Sequence, residues 1–370
     1  MIADSTTNVL YFTPQAYKRY NYRCSIAGVK ILIIGAGIGG LVSARLLARE
    51  GHDVVVAESA AEPRAAGAGI VLPTNTVASL EESGVDLDGL GLRLPVMAIT
   101  TPDGRARLRA SHRVSFARPE LMVALTRGLE PLVDLRYGAP ARLTSTSGAR
   151  HPSAEVGSSV EQFDFIVGAD GLRSRTRVAL YGTETSLRYS GQVCWRAIVP
   201  GHHVDGRTTE MWDGTERIGV VPLTRDRTYV YIVTATAAGT HPSTPPLESK
   251  LAAKETWATE QMLRLAPDSI LCHELWEVDR PAWGTGQVAL LGDAAHAVTP
   301  NLGLGAAMAI QDAVALTNAL RSPDNTVSTY RLRRQPTVRS TQLQSRMLGR
   351  IAHSPSLLAR GVRHALGLHM

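Results

Sequence analysis

"VKILIIGAGIGGLVSARLLAREGHDVVVAE", residues 29–58, is the stretch that decides the fold. It opens on a β-branched apolar run, VKILII, of the type that forms a strand covered on both faces. Gly35, Gly37 and Gly40 then match G-x-G-x-x-G. The first glycine permits a tight turn, the second lets a pyrophosphate approach the backbone, and the third lets helix and strand pack closely. Leu41, Ala44, Leu47 and Ala48 recur at helical spacing, and Gly51 ends that helix. DVVVAE is the next strand, and Glu58 closes it where an acid can accept hydrogen bonds from an adenosine ribose. This is a βαβ unit whose helix N-terminus offers free N–H groups and a positive dipole end to phosphate. Taken alone, the motif fits NAD or FAD equally, and a glycine-rich turn that holds nothing is its bland alternative.

The totals bound the answer. A chain of 370 residues exceeds one simple core, so two domains or one large interleaved α/β unit are expected. The composition, 44% hydrophobic with 33 Gly and 20 Pro, is ordinary for an enzyme. The net charge of +6 comes mostly from scattered arginines. Only YKRYNYR (17–23) mixes basic and aromatic residues, and it reads as a solvated arm in an N-terminal extension (1–28), so no nucleic-acid partner is expected. Cys24, Cys194 and Cys272 lie far apart with no C-x-x-C, which argues against zinc or dithiol chemistry and suits a reducing cytoplasm. No apolar run of about eighteen residues predicts a membrane span, and the N-terminus lacks the apolar core of a signal peptide. No G-x-S-x-G and no Gly-Lys pair occur, which removes the nucleophile-elbow hydrolases and the P-loop enzymes.

Beyond residue 58 the patterns alternate. Residues 67–94 carry helix and loop signals, 94–117 read as a hairpin turning at Asp103-Gly104, and 118–130 read as a helix. Residues 145–158 look like a surface turn, and FDFIVGAD (163–170) is another buried strand. From 187 to 235 short alternating strands predict a separate antiparallel sheet. A Pro-rich link (240–246) and a helix near 247–265 follow, then GQVALLGDAAH returns to the first core.

Two further motifs separate the cofactors. GADGLRSRTR (168–177) places Asp170 just after a buried strand, and GDAAHAVTPNLGLG (292–305) does the same for Asp293. Either acid could simply cap the next helix. An NAD-dependent dehydrogenase would account for residues 35–58 and leave both acids without purpose.

The order GAGIGG…E, GADG…R, GDAAHA…P…G…G resembles the class A flavoprotein monooxygenases, the para-hydroxybenzoate hydroxylase fold. The likeness is to their salicylate, urate and 6-hydroxynicotinate hydroxylase and zeaxanthin epoxidase branch. It runs from about residue 29 to about 335, and GAGIVLPTN (67–75) and FARPEL (116–121) match secondary landmarks of the group. The resemblance implies an α/β fold: an FAD-binding Rossmann-like βαβ domain interleaved with an antiparallel-sheet substrate domain, with C-terminal helices. The expected division is 29–93, 118–186 and 272–335 for FAD, 94–117 and 187–271 for substrate, and a helical segment from 336 to 370.

The resemblance also implies roles. Gly35, Gly37, Gly40 and Glu58 would hold the ADP half of FAD, and Arg118 the pyrophosphate or ribityl chain. Asp170 would support FAD and a transient NADH or NADPH, while Asp293 would bond the ribityl chain. Pro300 would lie beside the flavin ring, with the backbone from Leu302 through Gly303, Leu304 and Gly305 at its pyrimidine edge. That last role has a physical basis, because a helix N-terminus stabilises the negative charge of reduced flavin. The family reaction would reduce FAD with NAD(P)H, add O2 to give a C4a-hydroperoxide, and insert one oxygen atom into a small electron-rich aromatic ring, as a monomer or homodimer. Trp195, Arg196, Met211, Tyr229 and Tyr231 are the candidates for the substrate wall. Trp195 and Arg196 adjoin on one strand and must face opposite sides. His296 reads as structural rather than catalytic. Relatives often read PNLGQG…EDA; here Leu304 and Gln311 stand at the Gln and Glu positions, which leaves the pocket edge open. A flavin-binding protein without hydroxylase activity is the alternative from another class.

Overall fold

In the computed structural model, residues 28–63, 68–100, 106–145, 151–182, 187–201, 207–212, 216–236, 256–322 and 325–353 are described. The N-terminal arm with Cys24, the Asp103-Gly104 turn, the Pro-rich link and residues 354–370 lie outside them.

Three sheets carry the chain. The first has six strands: β1 (Lys30–Ile34), β2 (Asp53–Ala57), β6 (Asp134–Arg136), β10 (Phe165–Gly168), β16 (Gly284–Thr285) and β17 (Val288–Leu290), in the order β16-β17-β10-β1-β2-β6. Its pairings are parallel except for β16 with β17. Strand β1 explains its own composition. Ile31 and Ile33 face one side, against the helices; Leu32 and Ile34 face the other, against a small sheet. That sheet is β7 (Ala141–Ser145), β8 (Ser153–Val156) and β9 (Ser159–Gln162). A strand covered on both faces must be apolar at every position, which is why VKILII does not alternate. Residues 145–158, expected as a surface turn, therefore include strand β8, with Ala154 and Val156 buried under the main sheet.

The second sheet has eight strands, in the order β15-β11-β14-β13-β12-β4-β5-β3. They are β3 (Gly69–Pro73), β4 (Leu92–Thr100), β5 (Ala106–Ala117), β11 (Leu187–Pro200), β12 (Thr208–Trp212), β13 (Glu216–Pro222), β14 (Arg227–Ala235) and β15 (Leu271–Val278). The hairpin is present as β4 paired with β5, and the antiparallel run as β11, β12, β13 and β14. Two strands depart from the expected division. Strand β3 was grouped with the nucleotide unit but pairs with β5, and β15 was grouped there too but pairs with β11. Neither pairing has a local signal, because both partners lie far away in sequence.

Helices fill the remaining layer: α1 (Ile38–Arg49), α2 (Thr74–Glu82), α3 (Arg118–Thr126), α4 (Arg175–Tyr181), α5 (Trp257–Leu263), α6 (Asp293–His296), α7 (Gly305–Leu320) and α8 (Thr326–His353). Helices α1 and α7 pack on the first sheet through Leu41, Leu47, Ile310 and Leu316. Helix α5 covers the outer face of the large sheet. Helix α8 runs unbroken through Pro336, so the expected boundary at 336 falls inside one 28-residue helix.

Candidate active site

The glycine loop divides its work as the motif requires. Gly35 has φ +107°, and a Cβ there would lie 2.5 Å from the Ala169 carbonyl. A Cβ on Gly40 would lie 2.0 Å from the Gly35 carbonyl, so loop and helix touch backbone to backbone. Gly37 differs: a Cβ there would meet nothing within 4 Å. It faces open space at the start of α1, where unpaired N–H groups await an acceptor. Glu58 closes the crevice at the end of β2. Its carboxylate accepts from Ala36 N at 2.9 Å and from Ala60 N at 2.8 Å, which fixes it beside the glycine loop.

Asp170 does what the bland reading allowed. Its carboxylate accepts from Ser174 Oγ (2.6 Å), Thr176 N (3.0 Å) and Thr176 Oγ1 (3.0 Å), which ties down the start of α4. Next to it lies the arginine that closes GADGLRSRTR, to which the motif reading gave no role. Arg177 is buried and donates to the carbonyls of Ala294 (2.8 Å) and Leu172 (2.7 Å). It pins the GADG turn to the GDAAH turn.

Asp293 is the exception among these acids. Protein surrounds it, yet the residue keeps open surface, as at the floor of a cleft. Among the described residues it accepts no hydrogen bond. Burial raises its carboxyl above the ordinary range, against the opposing pull of His296, Arg118 and Arg177. Its neighbour His296 is fully enclosed. His296 Nε2 meets Asp312 Oδ2 at 2.6 Å, and its ring packs on Trp283 with centroids 5.4 Å apart. Arg334 Nε donates to Asp312 Oδ1 at 2.7 Å, and Gly292 N donates to Oδ2 at 2.9 Å. Burial alone would raise Asp312, but His296 and Arg334 outweigh it and hold the carboxyl low. His296 is thus part of a buried bracket beneath the Gly292-Asp293 turn, in line with the structural role expected for it.

From Pro300 to Gly305 the chain makes a short 3-10 turn (Pro300–Leu302), a left-handed Gly303 (φ +64°) and the start of α7. Pro300 is exposed at this mouth, and a Cβ on Gly305 would meet nothing within 4 Å. Leu304 packs on the helical core, and Gln311 reaches Ser79 Oγ at 3.2 Å. The loop is held from behind. Asn301 Nδ2 donates to Thr299 Oγ1 and to the Ser345 carbonyl, both at 2.9 Å. Gly349 of α8 lies so close that a Cβ would stand 2.6 Å from Asn301 Nδ2.

Opposite this loop stands one face of the large sheet. Glu210 is buried and holds three donors: Trp212 Nε1 (2.8 Å) and Arg217 Nη1 (3.2 Å) on Oε1, and Tyr231 OH (2.6 Å) on Oε2. Arg217 also bonds Asn301 Oδ1, and Arg113 Nη1 donates to the Leu302 carbonyl at 3.2 Å. Burial lowers Arg113, while Tyr231 and Glu210 pull the other way, so the three groups share one environment. Burial, then Glu210, keep the Tyr231 hydroxyl far above its ordinary range and protonated. Its ring lies over Gly219, where a Cβ would come within 1.9 Å. Arg113, Glu210 and Arg217 have no sequence motif; only the sheet register brings them together, opposite Asn301 of the GDAAHAVTPNLGLG run.

The substrate-wall candidates split by face. Trp195 pairs with Ile232 and packs in the core under α5 with Ala258 and Met262, and Met211 packs there too. Trp195 is therefore not a pocket wall; side-chain alternation sends it to the far face. Arg196 does share the loop-facing side with Tyr229 and Tyr231, but its Nη2 turns to His273 Nδ1 at 3.2 Å. Tyr229 and Tyr231 pack in a tilted pair with centroids 5.6 Å apart. Beside Asn301 a cleft of about 450 Å³ opens, with Arg188, Gln192, Glu277, Thr299 and Arg346 on its walls.

These residues fit FAD. Two glycines at helix starts face open space, and Asp293, open to the cleft, accepts no hydrogen bond among the described residues and could take one from a ribityl hydroxyl. Comparisons with known proteins agree. A family profile described as "FAD binding domain" matches residues 28–135 and 139–341. The chain is 32% identical to 2-heptyl-3-hydroxy-4(1H)-quinolone synthase of Pseudomonas aeruginosa, over 91% of this chain and 93% of that one. It is 28% identical to the FAD-dependent urate hydroxylase of Mycolicibacterium vanbaalenii, over 80% and 81%. Klebsiella pneumoniae HpxO, solved with FAD and uric acid, shares the fold with a TM-score of 0.81 at 24% identity, over 91% and 92% of the two chains. With the glycine loop, the GDAAH turn and the two-sheet frame all in place, the chain belongs to the FAD-dependent monooxygenases.

Proposed function

We propose that this enzyme hydroxylates a small heteroaromatic ring that carries a carbonyl and a ring N–H, using O2 and NADH or NADPH. The observation that carries this reading is the buried Glu210–Tyr231–Arg217 cluster facing the Pro300–Gly303 loop. Arg113 and Arg217 offer donors to a ring carbonyl, and Glu210 offers an acceptor to a ring N–H. Quinolone and urate, named for two of the relatives, both carry that pairing of groups.

Bound FAD supplies the redox chemistry and the activation of O2. The chain supplies everything else. Gly37, Glu58 and the start of α1 hold the ADP half, and Asp293 with Arg118 holds the ribityl chain. Pro300 and the Gly303, Leu304 and Gly305 turn place the flavin ring, and the α7 N-terminus stabilises negative charge there. Glu210, through Tyr231, draws proton density from the substrate and so enriches the ring carbon to be attacked. The tyrosine pair and Leu304 keep water from the space between loop and sheet. Asp170, anchored in its own turn, positions the α4 start rather than a ligand. Sparse free thiols, Cys194 and Cys272, support a cytoplasmic enzyme, and size-exclusion chromatography decides between monomer and homodimer.

The test is direct. The purified protein should carry a flavin spectrum. Oxidation of NADH or NADPH should rise on adding a 4-quinolone, a purine or a hydroxypyridine, and the product should carry one oxygen atom from labelled O2. A flavin-loaded protein that no heteroaromatic in such a panel stimulates would sink the substrate class.

A further inference from the structure

The last acidic residue of the chain is Asp324; from there to residue 370 the sequence has arginines and no Asp or Glu. Helix α8 carries most of this stretch. Two of its arginines are spent inward, Arg334 on Asp312 at 2.7 Å and Arg346 on Glu277 at 3.0 Å. Arg331 bonds the neutral Gln335 side chain, and Arg333, Arg339 and Arg350 make no ion pair among the described residues. Between these charges stand Leu332, Leu343 and Met347, which are 76%, 64% and 59% exposed. At 3.6 residues per turn they fall with Pro336 in one stripe about 22 Å long. On the same wheel Arg339 and Arg350 lie at one edge of that stripe, Arg333 lies beyond the other, and Arg331 stands further round the helix. At its flank a cleft of about 200 Å³ is lined by Arg280, Arg331 and Arg339 with Tyr181, Trp283 and Gln335, and no acid.

An apolar stripe bordered by unneutralised arginines has few complementary surfaces. A second copy of α8 would bring two rows of arginine together. No helix among the described residues is long and apolar enough to cross a membrane. A surface of anionic phospholipid matches both features, apolar side chains at the acyl boundary and guanidinium groups among phosphates. We propose that α8 lays its outer face on an anionic phospholipid surface, and that the cleft of Arg280, Arg331 and Arg339 receives headgroup phosphate. The proposal stands apart from the hydroxylase reading.

The experiment is flotation of the full flavin-loaded chain with vesicles of phosphatidylcholine, with and without about one-third phosphatidylglycerol. The chain should float with the anionic vesicles only, and about 1 M NaCl should release it, since the screening length then falls to about 3 Å. L332Q/L343Q/M347Q should weaken partition about tenfold or more. R331Q/R339Q should weaken it about 25-fold, at about fivefold per arginine. All these side chains lie outside the flavin site, so flavin content and basal NAD(P)H oxidation serve as fold controls. Equal binding to both vesicle types, no binding at all, or variants that bind like the parent would overturn the proposal. So would a dimer in solution that the leucine variant dissociates, since the stripe would then join two copies.

Discussion

Asp293 carries a charge that its own protein leaves unsatisfied. Burial raises its carboxyl above the ordinary 3.8, so the folded chain holds that proton more tightly than the unfolded chain does. Apoprotein stability therefore falls as pH climbs from 3.8 through the raised value. Asp293→Asn should melt higher than the parent apoprotein at neutral pH, with the gap closing in acid; differential scanning calorimetry across pH reads this. Asp293→Ala should hold FAD about 10–100-fold more weakly, the loss of a hydrogen bond to a charged group. Unchanged affinity would remove Asp293 from the ribityl role. Tyr231→Phe tests the other side of the site. It should leave FAD content intact but divert substrate-stimulated turnover towards hydrogen peroxide, measured by the ratio of product to NAD(P)H consumed. The motif acids and glycines were legible because they stand at fixed places in short runs of sequence, GAGIGG, GADG and GDAAH. Glu210, Arg113 and Arg217 were not, since a buried Glu on a β-strand has no signature until its partners arrive from other strands.

At the scale of elements, helix α7 joins two tasks. Its first turn opens towards the flavin crevice, and one further turn on, Asp312 braces the GDAAH turn through His296 and Arg334. Asp312→Asn leaves Arg334 buried without its charge partner, and should cost about 3–5 kcal/mol in a urea titration. A loss below about 1 kcal/mol would show that the bracket carries no strain-bearing role. Helix α8 acts from the opposite side. Gly349→Val would drive a side chain into Asn301, so FAD affinity should fall although the residue lies in no flavin motif. Equilibrium dialysis of the variant decides it. Helical periodicity announced α1 and α7, yet the Ser345–Thr299 and Gly349–Asn301 contacts span more than forty residues and left no periodic trace. Trp195 failed for a related reason: alternation sorts neighbours onto two faces without saying which face meets the flavin.

For the whole molecule, the two larger sheets both contribute to the proposed cofactor site, and the chain passes between them repeatedly. Strand β3 returns to the large sheet straight after the nucleotide unit, and β15 leaves it just before GDAAH. A local pattern gives a strand its type but not its sheet, which is why both were placed with the wrong partner. In the proposed site FAD would touch groups from both sheets, so it should stabilise them together. At a hundred times its Kd it adds about 2.7 kcal/mol. Apo and holo forms should each melt in a single transition, the holo form higher; two separated apo transitions would mean that the sheets fold independently.

The grip of α8 on the 299–301 loop also sets an order in time. During synthesis the glycine loop emerges first, while the helix that steadies the ring-bearing loop emerges some 300 residues later. At about 5–20 residues per second, roughly 15–60 s separate the two. A nascent chain can thus shelter an adenine nucleotide long before it can orient a flavin. Firm capture of the whole cofactor should therefore come late, in chains translated through residue 349.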